Sequence, residues 1–302
     1  MPSIIPFGVP VRGQLLLTEL RIDFRKSASN PYVIATLDDS KGRYTAVCLP
    51  KYRIEHWSFE PGQVVQVVGR RRRNERGSII GIQSMAPVAE DAVENGAAVL
   101  PLTLCPQIAR PALARLVDLN RTLGHPALRS FLTRVLRDPA IGIPFIRSRA
   151  AWRYHHAYAG GLLVHSTEML DLAAHLAAQA EPQFRLAPGI VQLAYLLHDL
   201  GKIDTVGEMR ATVSEKDVGH TLQTFVRLGA HLAWLEVQWP KGAKLLTSAL
   251  GYCARSAKDR PHDAWMGAQA VIFLDRLSVA KDLDVRQHDP QARRQQEVRH
   301  VS

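Results

Sequence analysis

The sequence predicts an α+β chain in two parts, a small N-terminal β-barrel followed by an all-α bundle. Three observations carry that prediction. Residues 10–88 break into short β-rich runs separated by turn formers, residues beyond 106 place apolar side chains at helical spacing, and the stretch between has no clear period.

The strand runs are "GQLLLTELRI", "PYVIATLDD", "RYTAVCL", "GQVVQVVGRR" and "SIIGIQSM". Ser29-Asn30-Pro31, Asp38-Asp39-Ser40-Lys41-Gly42 and Pro61-Gly62 supply the turns between them. Five strands, with a helix in "KYRIEHWSF" between the third and fourth, fit a Greek-key barrel of the OB type; an SH3-like barrel is the alternative. Residues 1–88 are therefore expected to form an OB-like domain, and the Ala/Val/Glu-rich residues 89–105 a linker.

Residues 106–285 read as helices. "PALARLVDLNRTLG" and "PALRSFLTRVLRD" each open with a first-turn proline, and "GGLLVHSTEMLDLAAHLAAQA" and "GIVQLAYLLHDLG" are apolar around most of their circumference, as helices central to a bundle are. "HTLQTFVRLGAHLAWLEV" and "WMGAQAVIFLDRLSVAKDL" complete the set. Residues 286–302 are polar and basic and are expected to be disordered.

Composition narrows the function classes. With 46% hydrophobic and 22% charged residues in 302, the chain is neither fibrous nor disordered. No apolar run approaches the roughly 20 residues that span a bilayer, and "MPSIIPFGVPVRGQ" has no basic leader, so the expectation is a cytoplasmic protein without a membrane partner. Cys48, Cys105 and Cys253 are odd in number and form no CxxC pair, which argues against a disulfide framework or a cysteine zinc site. A formal charge of +10 favours a polyanionic partner.

Two stretches carry the chemistry. "AYLLHDLGKID" sets His198 beside Asp199 at the end of an apolar run, where two polar groups need compensation that a divalent metal supplies best. "YHHAYAGGLLVHS" adds His155, His156 and His165, "GH" adds His220, and "VIFLDRLSV" adds Asp275 inside an apolar helix. Imidazole and carboxylate together suit first-row divalent metals. The second stretch, "GRRRRNERG", places Arg70, Arg71, Arg72 and Arg73 on a strand end. With Phe24, Tyr32, Tyr44 and Trp57 as stacking candidates, they are the expected contacts to single-stranded nucleic acid.

These residues resemble a known family. The H…HD…D pattern is that of the HD-domain metal-dependent phosphohydrolases, and "HHAYAGGLLVHS" with "LAYLLHDLGKI" and "GH" resembles the YhaM-type 3'-to-5' exoribonucleases, which join an OB-fold to an HD domain. The resemblance spans residues from about 10 to 282. It implies His165, His198, Asp199 and Asp275 as metal ligands with His220 as a further one, Asp199 as a proton acceptor, and His156 and Lys202 as catalytic partners. Lys202 would grip the scissile phosphate, with a helix-end cation as its alternative role. Gly160 and Gly161 would allow close backbone approach. Mn is the first-choice ion, with Fe, Ni, Zn, Co and Mg as alternatives.

The chain departs from the family at its "SHHG" element, where Ser248-Ala249-Leu250-Gly251 stands instead. That departure implies one tightly held ion, recruitment of His231 or His262 as substitutes, or loss of catalysis, the first being the expectation. The function so implied is a metal-dependent nuclease hydrolysing single-stranded RNA or DNA, 3'-to-5' and exonucleolytic. The alternatives are a nucleotide phosphohydrolase whose barrel serves homo-oligomeric assembly, and a non-catalytic nucleic-acid-binding accessory factor in plasmid or conjugative DNA processing.

Overall fold

The computed structural model describes residues 8–23, 32–48, 59–74, 77–153 and 155–288. The chain divides into two compact units, Met1–Leu104 and Cys105–Ser302.

The first unit is a closed barrel of β1 (Val9–Asp23), β2 (Tyr32–Asp39), β3 (Gly42–Cys48), β4 (Val64–Asn74) and β5 (Gly77–Pro87) in the order β1-β2-β3-β5-β4. Only β3 and β5 run parallel; the other pairs are antiparallel. Period-two alternation fills the interior: Leu15 and Leu17, Val33, Ala35 and Leu37, Tyr44, Ala46 and Cys48, Val65 and Val67, and Ile80 and Ile82 form one buried cluster. The helix expected in "KYRIEHWSF" falls on residues 51–59, of which 51–58 lie outside the described residues, as do Phe24 and Trp57.

Residues 89–104, read from the sequence as part of a linker, pack on this barrel. Val93 and Val99 bury Leu16 and Val64, and Thr103 donates to the buried Asp38 carboxylate at 3.1 Å. The cause is local: three consecutive leucines in β1 leave Leu16 facing outward, and an apolar side chain there gains by being covered.

The second unit is helical: α1 (Arg110–Thr122), α2 (Pro126–Arg137), α3 (Gly142–Arg147), α4 (Gly161–Thr167), α5 (Leu170–Ala180), α6 (Ala187–Leu197), α7 (Lys202–Thr205), α8 (His220–Gln238), α9 (Pro240–Ala254) and α10 (Met266–His288). At its centre α6 packs against α5, α9 and α10 and buries eight of its eleven residues. The run expected as one helix from Gly160 is two, because Met169 leaves helical geometry between α4 and α5. The helix α9 has no counterpart in the sequence reading, since its small residues and glycines blur the apolar period. No helix among the described residues is long and apolar enough to cross a membrane.

Candidate metal centre

The His198-Asp199 pair sits where α6 ends and turns into α7. The His198 Nδ1 lies 2.7 Å from the Tyr195 carbonyl, which can only accept, so that nitrogen carries a hydrogen and Nε2 points the other way. From α4 comes His165, fully buried, its Nδ1 2.8 Å from the Ser278 hydroxyl. The fourth group, Asp275, projects from α10 and is one-third exposed, where a buried carboxylate was expected from its apolar neighbours.

One ligand atom from each of His165, His198, Asp199 and Asp275 lies within 4.8 Å of all the others. The His165 Nε2 stands 3.3 Å from Asp199 Oδ2 and 3.4 Å from Asp275 Oδ1, and the His198 Nε2 stands 3.5 and 3.4 Å from the same two oxygens. Both Nε2 atoms are buried and without a hydrogen-bond partner among the described residues. Leaving each so would cost about 1–3 kcal/mol. The separations exceed the usual N–H···O distance, and they match the edges, about 3.0–3.4 Å, of a coordination polyhedron with bonds of about 2.1 Å. Two carboxylates and two neutral imidazoles also balance a divalent charge. The cluster therefore fits a divalent metal ion.

Electrostatics point the same way. Burial pushes the Asp199 carboxyl up, but His198 and Lys202 outweigh it and hold it well below the usual carboxylate range. Burial also opposes the charged form of His198, yet Asp199 and Asp275 win and raise its pKa above 6.5. Asp275 is likewise held low, its burial overcome by the two imidazoles.

Close backbone approaches assemble the pocket. Gly160 adopts φ +79°, and a Cβ on Gly161 would meet the His156 carbonyl at 1.9 Å, so this glycine pair lets the histidine loop lie against α4. His156 itself is held at φ +50°. Gly201 does the same for α8: a Cβ there would sit 2.0 Å from the His220 carbonyl.

The remaining sequence candidates separate around this centre. Lys202 contacts Asp199 Oδ2 at 2.5 Å and is the first residue of α7, so it is a partner of the cluster rather than a cation closing a helix at its C-terminus. His220 lies 3.3 Å from the other Asp199 oxygen while its Nδ1 pairs with Glu215 at 2.7 Å. His156 pairs beside the cluster: its Nδ1 lies 3.0 Å from the Tyr158 hydroxyl and its Nε2 3.0 Å from Glu168, and one ligand atom from each of His156, His165 and Glu168 lies within 4.8 Å of the others. His155, whose ring lies 5.7 Å from that of His165, has its pKa lowered to about 4 by burial and then by the charge of Lys202. His231 pairs with Asp138 at 3.1 Å, and His262 is exposed; neither joins the cluster.

Sequence reasoning missed Glu168, Ser278 and Cys253. A signal existed for the first two, since Glu168 follows His165 and Ser278 follows Asp275 by three residues, one turn along the same helix face. Burial, and then the fields of Asp199 and Asp275, push the thiol of Cys253, on α9, up to about 12.

In the barrel, Arg70 and Arg71 are exposed on β4, and Arg72 and Arg73 continue the strand opposite Ile79 and Ser78. Tyr44 corrects the expectation of a stacking surface: alternation turns it inward with Ala46 and Cys48, and its hydroxyl donates to Asp39 at 3.1 Å. Arg71 lies 5.9 Å from the Tyr44 ring centre. Tyr32 begins β2, paired with Asp23, and its side chain lies outside the described residues.

Comparison with known proteins agrees with this geometry. Residues 162–236 match the HD domain family, a span that holds His165, His198, Asp199 and His220. The match supports a metal-dependent phosphohydrolase, and the fold brings Asp275 to the same centre from outside the matched span. A search of curated proteins returns no match to the chain.

Proposed function

We propose that this protein is a metal-dependent nuclease that hydrolyses phosphodiesters of single-stranded RNA or DNA, 3'-to-5', in the manner of the YhaM-type enzymes it resembles. The observation that carries the reading is the pairing, on one chain, of a His/Asp metal cluster with a five-stranded closed barrel bearing exposed Arg70 and Arg71. The strand order β1-β2-β3-β5-β4 with its single parallel β3–β5 pair supports an OB-fold, a barrel used to grip single strands.

In this reading His165, His198, Asp199 and Asp275 hold the ion, Mn being our first choice. A divalent cation there supplies Lewis-acid stabilisation of charge developing on the phosphoryl oxygens. Lys202 offers a second positive charge beside Asp199, placed to attract the scissile phosphate. The His220–Glu215 pair adjoins the other oxygen of Asp199 and can take up or return a proton there.

End-labelled single-stranded RNA and DNA, and mononucleotides, incubated with the Mn-loaded protein, test the proposal. Shortening of an end-labelled strand from its 3' end, without turnover of mononucleotides, is the expected result. Hydrolysis of mononucleotides alone would instead favour a nucleotide phosphohydrolase.

A further inference from the structure

Around His165 the hydrogen bonds run in one direction. Glu168 is a partly buried carboxylate: burial raises its pKa, but His156 and Ser278 outweigh that and hold it below the usual range, so it accepts only. The Ser278 hydroxyl, itself fully buried, donates to Glu168 Oε1 in a short contact. Its hydrogen thus spent, Ser278 faces the His165 Nδ1 at 2.8 Å as an acceptor. The ring must then carry its hydrogen on Nδ1, which leaves the Nε2 lone pair aimed at Asp199 and Asp275. Glu168 is itself anchored by His156 Nε2 at 3.0 Å and by Lys281 at 3.5 Å.

We infer that Ser278 and Glu168 form a relay that positions His165 for metal binding, by fixing its tautomer and ring orientation. Glu168 keeps Ser278 an acceptor, and Ser278 keeps His165 a donor at Nδ1 and a ligand at Nε2. The inference assigns His156 its task as well: it holds the far end of the relay through Glu168. It rests on the metal site proposed above, and it adds positioning residues that do not touch the ion.

Calorimetric titration of the full chain with Zn or Mn at pH 7.5 tests it, with wild type beside Ser278→Ala, Ser278→Thr, Glu168→Gln and His198→Ala. Loss of the relay is expected to weaken binding by about 10–100-fold in Ser278→Ala, the usual effect of removing a partner behind a metal-bound histidine. Ser278→Thr keeps the hydroxyl and is expected to bind within about threefold of wild type on that logic. Glu168→Gln introduces an amide donor that can turn Ser278 around, which drives the ring hydrogen to Nε2, so it is expected to weaken binding although its shape is conserved. In the Zn-loaded wild type, nitrogen-15 spectra should show the His165 hydrogen on Nδ1.

Wild-type affinity in Ser278→Ala, together with loss of binding in His198→Ala, would overturn the relay and leave the metal site standing. Equal binding by wild type and His198→Ala would overturn the site itself. Should Ser278→Ala not fold, the wild-type spectrum still decides, since a hydrogen on His165 Nε2 contradicts the relay outright.

Discussion

His198 can hold a proton or a metal ion, but not both. Because its pKa is raised above 6.5 in the ion-free fold, its proton stabilises that fold, fully so below 6.5, and the contribution is lost as pH rises through the raised value. Metal binding must displace this proton, so affinity should fall about tenfold per pH unit below the raised value, where one proton competes. The rise in melting temperature on adding Mn should accordingly grow between pH 5.5 and 7.5; a pH-independent increment would place the ion elsewhere. Substitution separates the two ligands at the same scale. His198→Ala and Asp199→Ala should each lose bound metal and hydrolysis while keeping a helical circular-dichroism spectrum. Asp199→Ala is expected to be the more damaging, because it removes a negative charge balancing the ion and the partner of Lys202. Retention of wild-type metal content by either variant would refute the site.

At the scale of elements, β4 and the turn after α6 lend themselves to test. If the arginines of β4 grip phosphates, changing Arg70, Arg71, Arg72 and Arg73 to Ser should weaken single-strand binding. The slope of log affinity against log salt should fall by about 0.7 for each phosphate the variant no longer neutralises. Turnover of a small model phosphodiester should stay near wild type, which distinguishes grip from chemistry. In the turn after α6, Gly201→Ala would set a Cβ 2.0 Å from the His220 carbonyl; the start of α8 must shift, and we expect a loss of stability of about 1–3 kcal/mol, read from denaturant melts, with weaker metal binding. These elements also show what was legible in advance. Strands whose apolar residues alternate, such as Val33-Ala35-Leu37, announced the barrel, and the apolar α6 announced the bundle centre. Residues 89–104 hid their role because Val93 and Val99 have no period, and only the outward-facing Leu16 explains why they fold back. Tyr44 misled because an aromatic suits a barrel core as well as a stacking surface.

Across the whole molecule, His165, His198 and Asp199 were readable because they sit in short specific motifs and Asp275 because it interrupts an apolar helix, whereas the contact between Ser278 and Glu168, across 110 residues of sequence, could be hinted at only by their three-residue spacing from His165 and Asp275. The "SHHG" element is the case where sequence and fold must be taken together. Ser248-Ala249-Leu250-Gly251 lies on α9, with Ala249 and Leu250 buried, and Cys253, one turn beyond Ala249, is the α9 side chain that feels the fields of Asp199 and Asp275. Its thiol is pushed up to about 12, which makes it a poor ligand unless a metal displaces the proton. His231 is committed to Asp138, so it does not replace the absent histidines. His165, His198, Asp199 and Asp275 then complete one site; a second group, His156, His165 and Glu168, shares His165 with it and has His156 and Glu168 already paired with each other, which leaves a second ion short of donors. Purified protein should accordingly carry close to one tightly held metal per chain by elemental analysis. Substituting Ala249→His and Leu250→His should raise occupancy toward two in excess Mn, at a cost in stability from polar groups placed in an apolar interior. Two ions per chain retained by the wild type after dialysis would refute the single-ion site and direct attention to Cys253 and His220 as the additional donors.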